Sequence, residues 1–238
     1  MSKELQGRVA LVTGSGRNIG RAIALSLADA GASLVLNSRS SRNEIDAVAA
    51  QTGGLAILAD VSDEEAVERM VAQALERFGR IDILVNCAAN RAVEPIESID
   101  AKRWREVTSV ILDGAWFCAR ACLEPLKKSD MGAIVNIGGL SAHTGATGRP
   151  HVIAAKEGLV GLTRALAHDL APHNVTVNCV VPGLIETVRT SPSANHKESP
   201  LGRRGKPEEV AATVRFLVGP GARYITGQTV HVSGGAAA

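Results

Sequence analysis

The chain has 238 residues, 45% of them hydrophobic, and 26 basic against 24 acidic side chains leave a net charge of +2. That length and apolar content suit a single domain, residues 1–238, around one large core, and the interspersed, nearly balanced charge excludes the electrostatic footprint of a nucleic-acid-binding protein. Residues 1–8 are polar, no apolar run approaches the ~20 residues of a membrane span, and the four cysteines form no Cys-x-x-Cys pair, so a soluble cytoplasmic protein without disulfides is expected.

Val9 to Val12 is an unbroken apolar run of strand length, as a strand buried on both faces requires. Gly14-Ser15-Gly16-Arg17-Asn18-Ile19-Gly20 follows, and apolar residues then recur at helical spacing until Gly31. Leu34 to Leu36 makes a second strand and completes a β-α-β unit. Gly14 permits a tight turn, Gly16 removes a side chain where a phosphate would approach, and Gly20 lets the helix lie near the strand. The N–H groups of Ser15, Arg17, Asn18 and Ile19 open the helix, whose N-terminus attracts a pyrophosphate.

A polar helix over 42–52 and a third strand, Leu55 to Ala59, come next. Ser62 or Asp63 caps a helix with Val67, Met70, Val71 and Ala74 on its apolar face, closed by Gly79. Ile83 to Val85 is a fourth strand, the stretch from about Ala101 to Lys128 reads as one long helix, and Ala133 to Ile137 is a fifth strand ending at Gly138-Gly139-Leu140-Ser141. A helix over about 151–171, a strand from Val175 to Val181, a helix from Glu208 to Val218 and a strand from Gln228 to Val232 complete the chain. Residues 184–207 lack apolar periodicity and read as a lid or binding loop. Alternating strands and helices specify an α/β fold, a Rossmann-type doubly wound parallel sheet of about seven strands with helices on both faces. Its ligands sit at the carboxyl ends of the strands, where Thr13, Asn37, Asp60, Asn86, Ile137 and Val181 fall. The six histidines have no paired ligand spacing, and no metal site is expected.

Assembled in this order, the residues resemble the short-chain dehydrogenase/reductase family, in particular its 3-oxoacyl-acyl carrier protein reductase-like branch. Thr13-Gly14-x-Gly16-x-x-x-Gly20 is similar to the family's Thr-Gly-x-x-x-Gly-x-Gly with Asn18 in place of the middle glycine. Asp60-Val61 is similar to the adenine-binding pair, Asn86-Cys87-Ala88-Ala89 to Asn-Asn-Ala-Gly, and Pro182-Gly183-Leu184-Ile185-x-Thr187 to the turn that contacts the nicotinamide carboxamide. The resemblance implies a dinucleotide site that also includes Lys156, a small-molecule or acyl-type carbonyl or alcohol substrate, and a tetramer joined through the long helices and last strand, where Trp104, Trp116 and Cys118 would suit a contact. NAD-selective sites carry a carboxylate at the end of the second strand. Here Asn37, Ser38 and Arg39 stand there, with Arg17 in the glycine turn, so NADP(H) is favoured over NAD(H).

The catalytic positions break the pattern. The family's Lys is Lys156, but its Tyr position falls on Val152, its Ser position on Gly139 and its Asn position on Ile111. Valine cannot donate a proton. His151, Ser141 and His143 are the nearby substitutes, although about 140° of helix separates His151 from Lys156, five residues on. Arg91, Arg149, His151, Arg189 and His196 would surround the mouth and attract an anionic substrate. Two functions follow as alternatives: an NADP(H)-dependent oxidoreductase with a non-standard proton donor, or an NADP(H)-binding homologue without turnover that serves as a partner subunit or regulator.

Overall fold

Alternate residues of the first strand enter opposite faces of the sheet, as a period of two demands. Ala10 and Val12 join a core with Ile23, Leu27, Val214 and Leu217, whereas Val9 and Leu11 join another with Met70, Val71, Leu126 and Leu170. The computed structural model describes residues 3–188 and 199–236. Its strands are β1 (Val9–Val12), β2 (Ser33–Ser38), β3 (Leu55–Leu58), β4 (Ile83–Asn86), β5 (Ala133–Ile137), β6 (Thr176–Pro182) and β7 (Thr229–Val232). They form one sheet in the order β3-β2-β1-β4-β5-β6-β7, and every pairing is parallel. The chain winds outward from β1 in both directions, so the strand order reverses between β1 and β4 and opens a crevice at their carboxyl ends.

The helices are α1 (Asn18–Asp29), α2 (Arg42–Thr52), α3 (Glu64–Phe78), α4 (Ala101–Thr108), α5 (Gly114–Ala121), α6 (Leu123–Lys128), α7 (Leu140–Thr144), α8 (Pro150–Leu170) and α9 (Pro207–Val218). Asp63 caps α3 by accepting from the Ala66 N–H at 3.1 Å, and Gly79 closes it at φ +72°. Instead of one helix from Ala101 to Lys128 there are three. A π-helical turn, Ser109–Asp113, separates α4 from α5, and a non-helical Cys122 divides α5 from α6. α7 was not visible in the pattern, since five residues are too few to show a period. Of the expected 184–207 loop, residues 189–198 lie outside the described residues, and a parallel bridge joins Ile185 to Gly205 across it. Cys118 is fully buried in the core and so cannot lie on a subunit contact, whereas Trp104 and Trp116 are exposed. Among the described residues no helix is long and apolar enough to cross a membrane.

The opposite edge of the sheet is fixed by one carboxylate. Asp82, fully buried just before β4, accepts from the Val9 N–H at 2.9 Å, the Ser129 hydroxyl at 2.5 Å and the Arg80 guanidinium at 2.5 and 2.9 Å. Burial raises its pKa, but the bonds from Arg80, Ser129 and Val9 outweigh it and hold the carboxyl below the usual range. Asp82→Ala leaves these donors without their acceptor, and urea denaturation is expected to show a loss of about 2–4 kcal/mol.

Candidate functional site

The crevice begins where β1 ends. The Thr13 hydroxyl accepts from the N–H groups of Cys87 and Ala88 at 3.0 and 3.1 Å and donates to the Val85 carbonyl at 3.4 Å, pinning the ends of β1 and β4 together. Gly14 then turns at φ +63°, and a Cβ there would lie 2.9 Å from the Ala88 Cα. At Gly20 a Cβ would lie 2.2 Å from the Gly14 carbonyl oxygen, so only glycine lets α1 start against its own turn. The φ of Gly16 is not positive, and a Cβ would meet Glu44 Cβ at 3.2 Å, so its smallness also lets α2 pack close to the turn. Besides Gly14, the turn has one other left-handed residue, Asn18, at φ +51°.

The residues expected around a dinucleotide gather at this edge, but several have their side chains engaged. Ser15 is buried; its N–H and hydroxyl donate to the Asn37 carbonyl, and its Oγ accepts from the Asn37 N–H at 3.0 Å. Ser15 therefore shapes the turn. Arg17 is the extended residue before α1 and makes no side-chain cap, so the first N–H groups of the helix, beside buried Ile19, are open to an anion. The Asn37 carboxamide donates to the Ala59 carbonyl at 3.0 Å, and the Ser38 Oγ accepts from the Ser41 N–H at 3.2 Å. Arg39 is exposed beside a concavity lined by Ser40 to Glu44. The Asp60 Oδ1 accepts from the N–H and hydroxyl of Ser62, while Val61 packs against Gly114. Buried Asn86 donates to Asn136 Oδ1 at 2.9 Å and keeps its own Oδ1 unpartnered.

On the far wall, Pro182 ends β6, Gly183 approaches Ser233 closely enough to exclude a Cβ, and Ile185 is buried. The Thr187 Oγ1 is buried with no hydrogen-bond partner among the described residues. A nicotinamide carboxamide is chemistry that such an orphaned hydroxyl would satisfy. With the open helix N-terminus and the close approach at Gly14, the residues present fit a dinucleotide.

The positions where the resemblance expects polar catalytic groups lie in apolar packing. Val152 and Ile111 pack into one cluster with Val107, Ala115, Ala155 and Leu159. Gly158 lies so close to Leu112 that a Cβ would stand 2.9 Å from its Cδ2, which brings α8 against the π-helical turn. Gly139 has nothing within 4 Å of where a Cβ would be, so the position would hold a serine. Lys156 is buried and its Nζ donates to the Ile137 carbonyl at the end of β5. Burial pushes the ammonium down to about 8; the Cys87 and Cys179 sulfurs oppose this and the Arg91 charge reinforces it.

His151 and Lys156 are both buried on α8, five residues apart, which is about 140° around the helix. His151 is fully buried, neither ring nitrogen has a hydrogen-bond partner among the described residues, and Nε2 lies 3.6 Å from Glu94 Oε2. Glu94 is held by Arg103 through bonds of 2.6–2.9 Å, and its N–H donates to the Gly148 carbonyl at 2.9 Å, just before α8. Arg103 holds the Glu94 carboxyl below the usual range. No spacing in the sequence pointed to Glu94 or Arg103, because the loop after β4 has no period. Ser141 and His143 lie on α7, with the His143 ring 4.7 Å from that of His231 and its Nδ1 3.7 Å from Glu157. Arg149 precedes α8 and Arg91 follows β4, while Arg189 and His196 lie outside the described residues. Among the described residues no group of three metal-ligating side chains forms.

Residues 14–237 match the family model described as Enoyl-(Acyl carrier protein) reductase. The chain is 39% identical to a 3-oxoacyl-[acyl-carrier-protein] reductase of Synechocystis sp., over 97% of each chain. A short-chain dehydrogenase from Burkholderia cenocepacia, solved in complex with NADP, superposes with a TM-score of 0.93 at 34% identity, covering 99% of this chain and 100% of that one. A blue fluorescent protein from a metagenomic library, in complex with NADPH, gives 0.91 at 32% identity, with the same coverage.

Lys156 supplies a pH test. Its pKa is lower folded than unfolded, so the unfolded chain binds more protons between pH of about 8 and 10.5 and stability rises across that window. The unliganded Lys156→Met variant is expected to be more stable than the unsubstituted chain at pH 7, with the advantage shrinking by pH 10 in paired denaturation curves.

Proposed function

The chain belongs to the short-chain dehydrogenase/reductase family, in its 3-oxoacyl-acyl carrier protein reductase-like branch, and from that premise we propose that it is an NADP(H)-dependent oxidoreductase working on a carbonyl or alcohol through a non-standard proton donor. The observation that carries this reading is Lys156. Holding an ammonium in a buried place beside Ile137, Cys87 and Cys179 costs free energy, and such a group is kept where a ligand uses its charge. Its donors suit the ribose hydroxyls of a dinucleotide lying along the carboxyl edge.

The bound coenzyme would supply or accept the hydride. Its diphosphate would be held at the N-terminus of α1, its adenosine by Asp60 and Val61, and its carboxamide by Thr187 and the Pro182 to Ile185 turn, with Asn86 and Ala88 flanking the ring. A 2′-phosphate would meet Arg39 and Arg42 and no competing carboxylate at Asn37 or Ser38. Glu44 and Asp46 only partly engage Arg17 and Arg42, at 3.8 and 3.5 Å.

When hydride reaches a carbonyl carbon, the oxygen must receive a proton that Val152 cannot give. His151 is the proposed donor, supported by two ring nitrogens that have no hydrogen-bond partner among the described residues. Ser141 would hold the substrate oxygen in place of the missing hydroxyl at Gly139. Arg91 and Arg149 would draw an anionic or acyl-type substrate to the mouth, and exposed Trp104 and Trp116 would join copies into a tetramer.

The complete burial of His151 and the apolar packing of Val152 with Ile111 favour a second reading, a coenzyme-binding subunit without turnover. Stopped-flow oxidation of NADPH against a panel of ketones, aldehydes and 3-oxoacyl thioesters separates the two. Turnover is expected, His151→Ala should lower it by about 10²–10⁴, and His143→Ala should leave it within about threefold. In fluorescence titrations, Arg39→Ala combined with Arg42→Ala should weaken NADPH by about tenfold or more, roughly 1.4 kcal/mol, and leave NADH nearly unchanged.

A further inference from the structure

Asn18 stands where the resemblance places the middle glycine of the glycine turn, and its backbone is left-handed at φ +51°. Asparagine is among the few side-chain-bearing residues that adopt this region readily. What it adds is a carboxamide. Its Oδ1 accepts from the Val188 N–H at 2.9 Å and its Nδ2 donates to the Val188 carbonyl at 3.2 Å. One side chain thus pairs with both backbone groups of a residue 170 positions away. A glycine could make neither bond.

The two segments so joined are the opposite walls of the coenzyme crevice. Asn18 is the first residue of α1, whose N-terminus faces the diphosphate. Val188 follows Thr187, with its orphaned hydroxyl, at the end of the segment that leaves β6 through Pro182 and Gly183. We propose that Asn18 is a positioning residue, a clasp that ties the nicotinamide-side wall to the phosphate turn, so that bound NADP(H) leaves only after both bonds to Val188 open. The clasp rests on the coenzyme reading given above and adds to it a determinant of exchange rate. Val188 is 81% exposed, so water replaces these bonds cheaply when they break. Each is worth little to the fold, about 0.5–1.5 kcal/mol. Their consequence is therefore expected in the lifetime of the complex rather than in the stability of the chain.

Asn18→Gly tests this directly, because glycine retains the positive φ and removes only the carboxamide. The dissociation rate of NADPH, read by displacement in a stopped-flow fluorimeter, is expected to rise about tenfold, as two such bonds allow. The melting temperature of the unliganded protein should barely move. Val188→Pro removes the N–H from the other side and should raise the rate as well, and the double variant should release NADPH no faster than Asn18→Gly alone. Release from Asn18→Gly within about twofold of the unsubstituted rate, or rate increases that multiply in the double variant, would overturn the clasp while leaving coenzyme binding intact. Absence of NADPH and NADH binding by the unsubstituted chain would overturn the coenzyme reading itself, and the clasp with it.

Discussion

A Cβ on Gly20 would stand 2.2 Å from the carbonyl oxygen of Gly14, and this contact between a helix and the turn that begins it is the constraint from which the rest of the site follows. It brings the first turn of α1 against the end of β1 and so points the open N–H groups of the helix into the crevice. Thr13 then binds β1 to the loop after β4, and Ser15 binds the turn to Asn37 at the end of β2. Three strand ends are thereby fixed around one helix terminus. Hydrogen bonds that satisfy buried groups do this work, which is why the side chains of Ser15 and Asn37 belong to the scaffold even though they border the ligand.

At the catalytic edge the balance is different. Val152 and Ile111 give apolar area to the seam between α8 and the π-helical turn, which leaves no polar side chain at those positions needing a partner. Lys156 runs against that trend, a charge retained in a place that burial makes unfavourable, with the Ile137 carbonyl as its hydrogen-bond partner. The His151 imidazole is a second such group, aimed at a carboxylate that Arg103 holds ready. Polar groups left incompletely satisfied beside a well-packed apolar seam are the usual mark of a site whose remaining partners come from a ligand.

Much of this was legible in the residues. Continuous apolar runs marked β1 and the centre of β2, which are buried on both faces, while the edge strand β7 alternates as Thr-Val-His-Val and is only partly buried, and Asp63 with Gly79 bounded α3 because capping chemistry is local. The break in the long helix was not legible. Nothing in Ser109 to Asp113 disfavours an α-helix strongly, and the π-helical turn arises where Gly158 of α8 presses against Leu112. The contact of Gly16 with Glu44 of the next helix was not legible for a similar reason, since it depends on how α2 packs against the turn.

The sequence by itself determined the alternation of the seven strands with their main helices and hence the doubly wound parallel sheet, because both depend on pattern and spacing along the chain. Only the tertiary structure decided which side chains remain free there. Ser15 is spent on Asn37, Asn18 reaches Val188, and His151 faces Glu94. Each pairing joins residues distant in sequence through specific hydrogen bonds or a close approach. Such contacts carry no period and no local propensity, so they exist only once the packed sheet has brought its strand ends together.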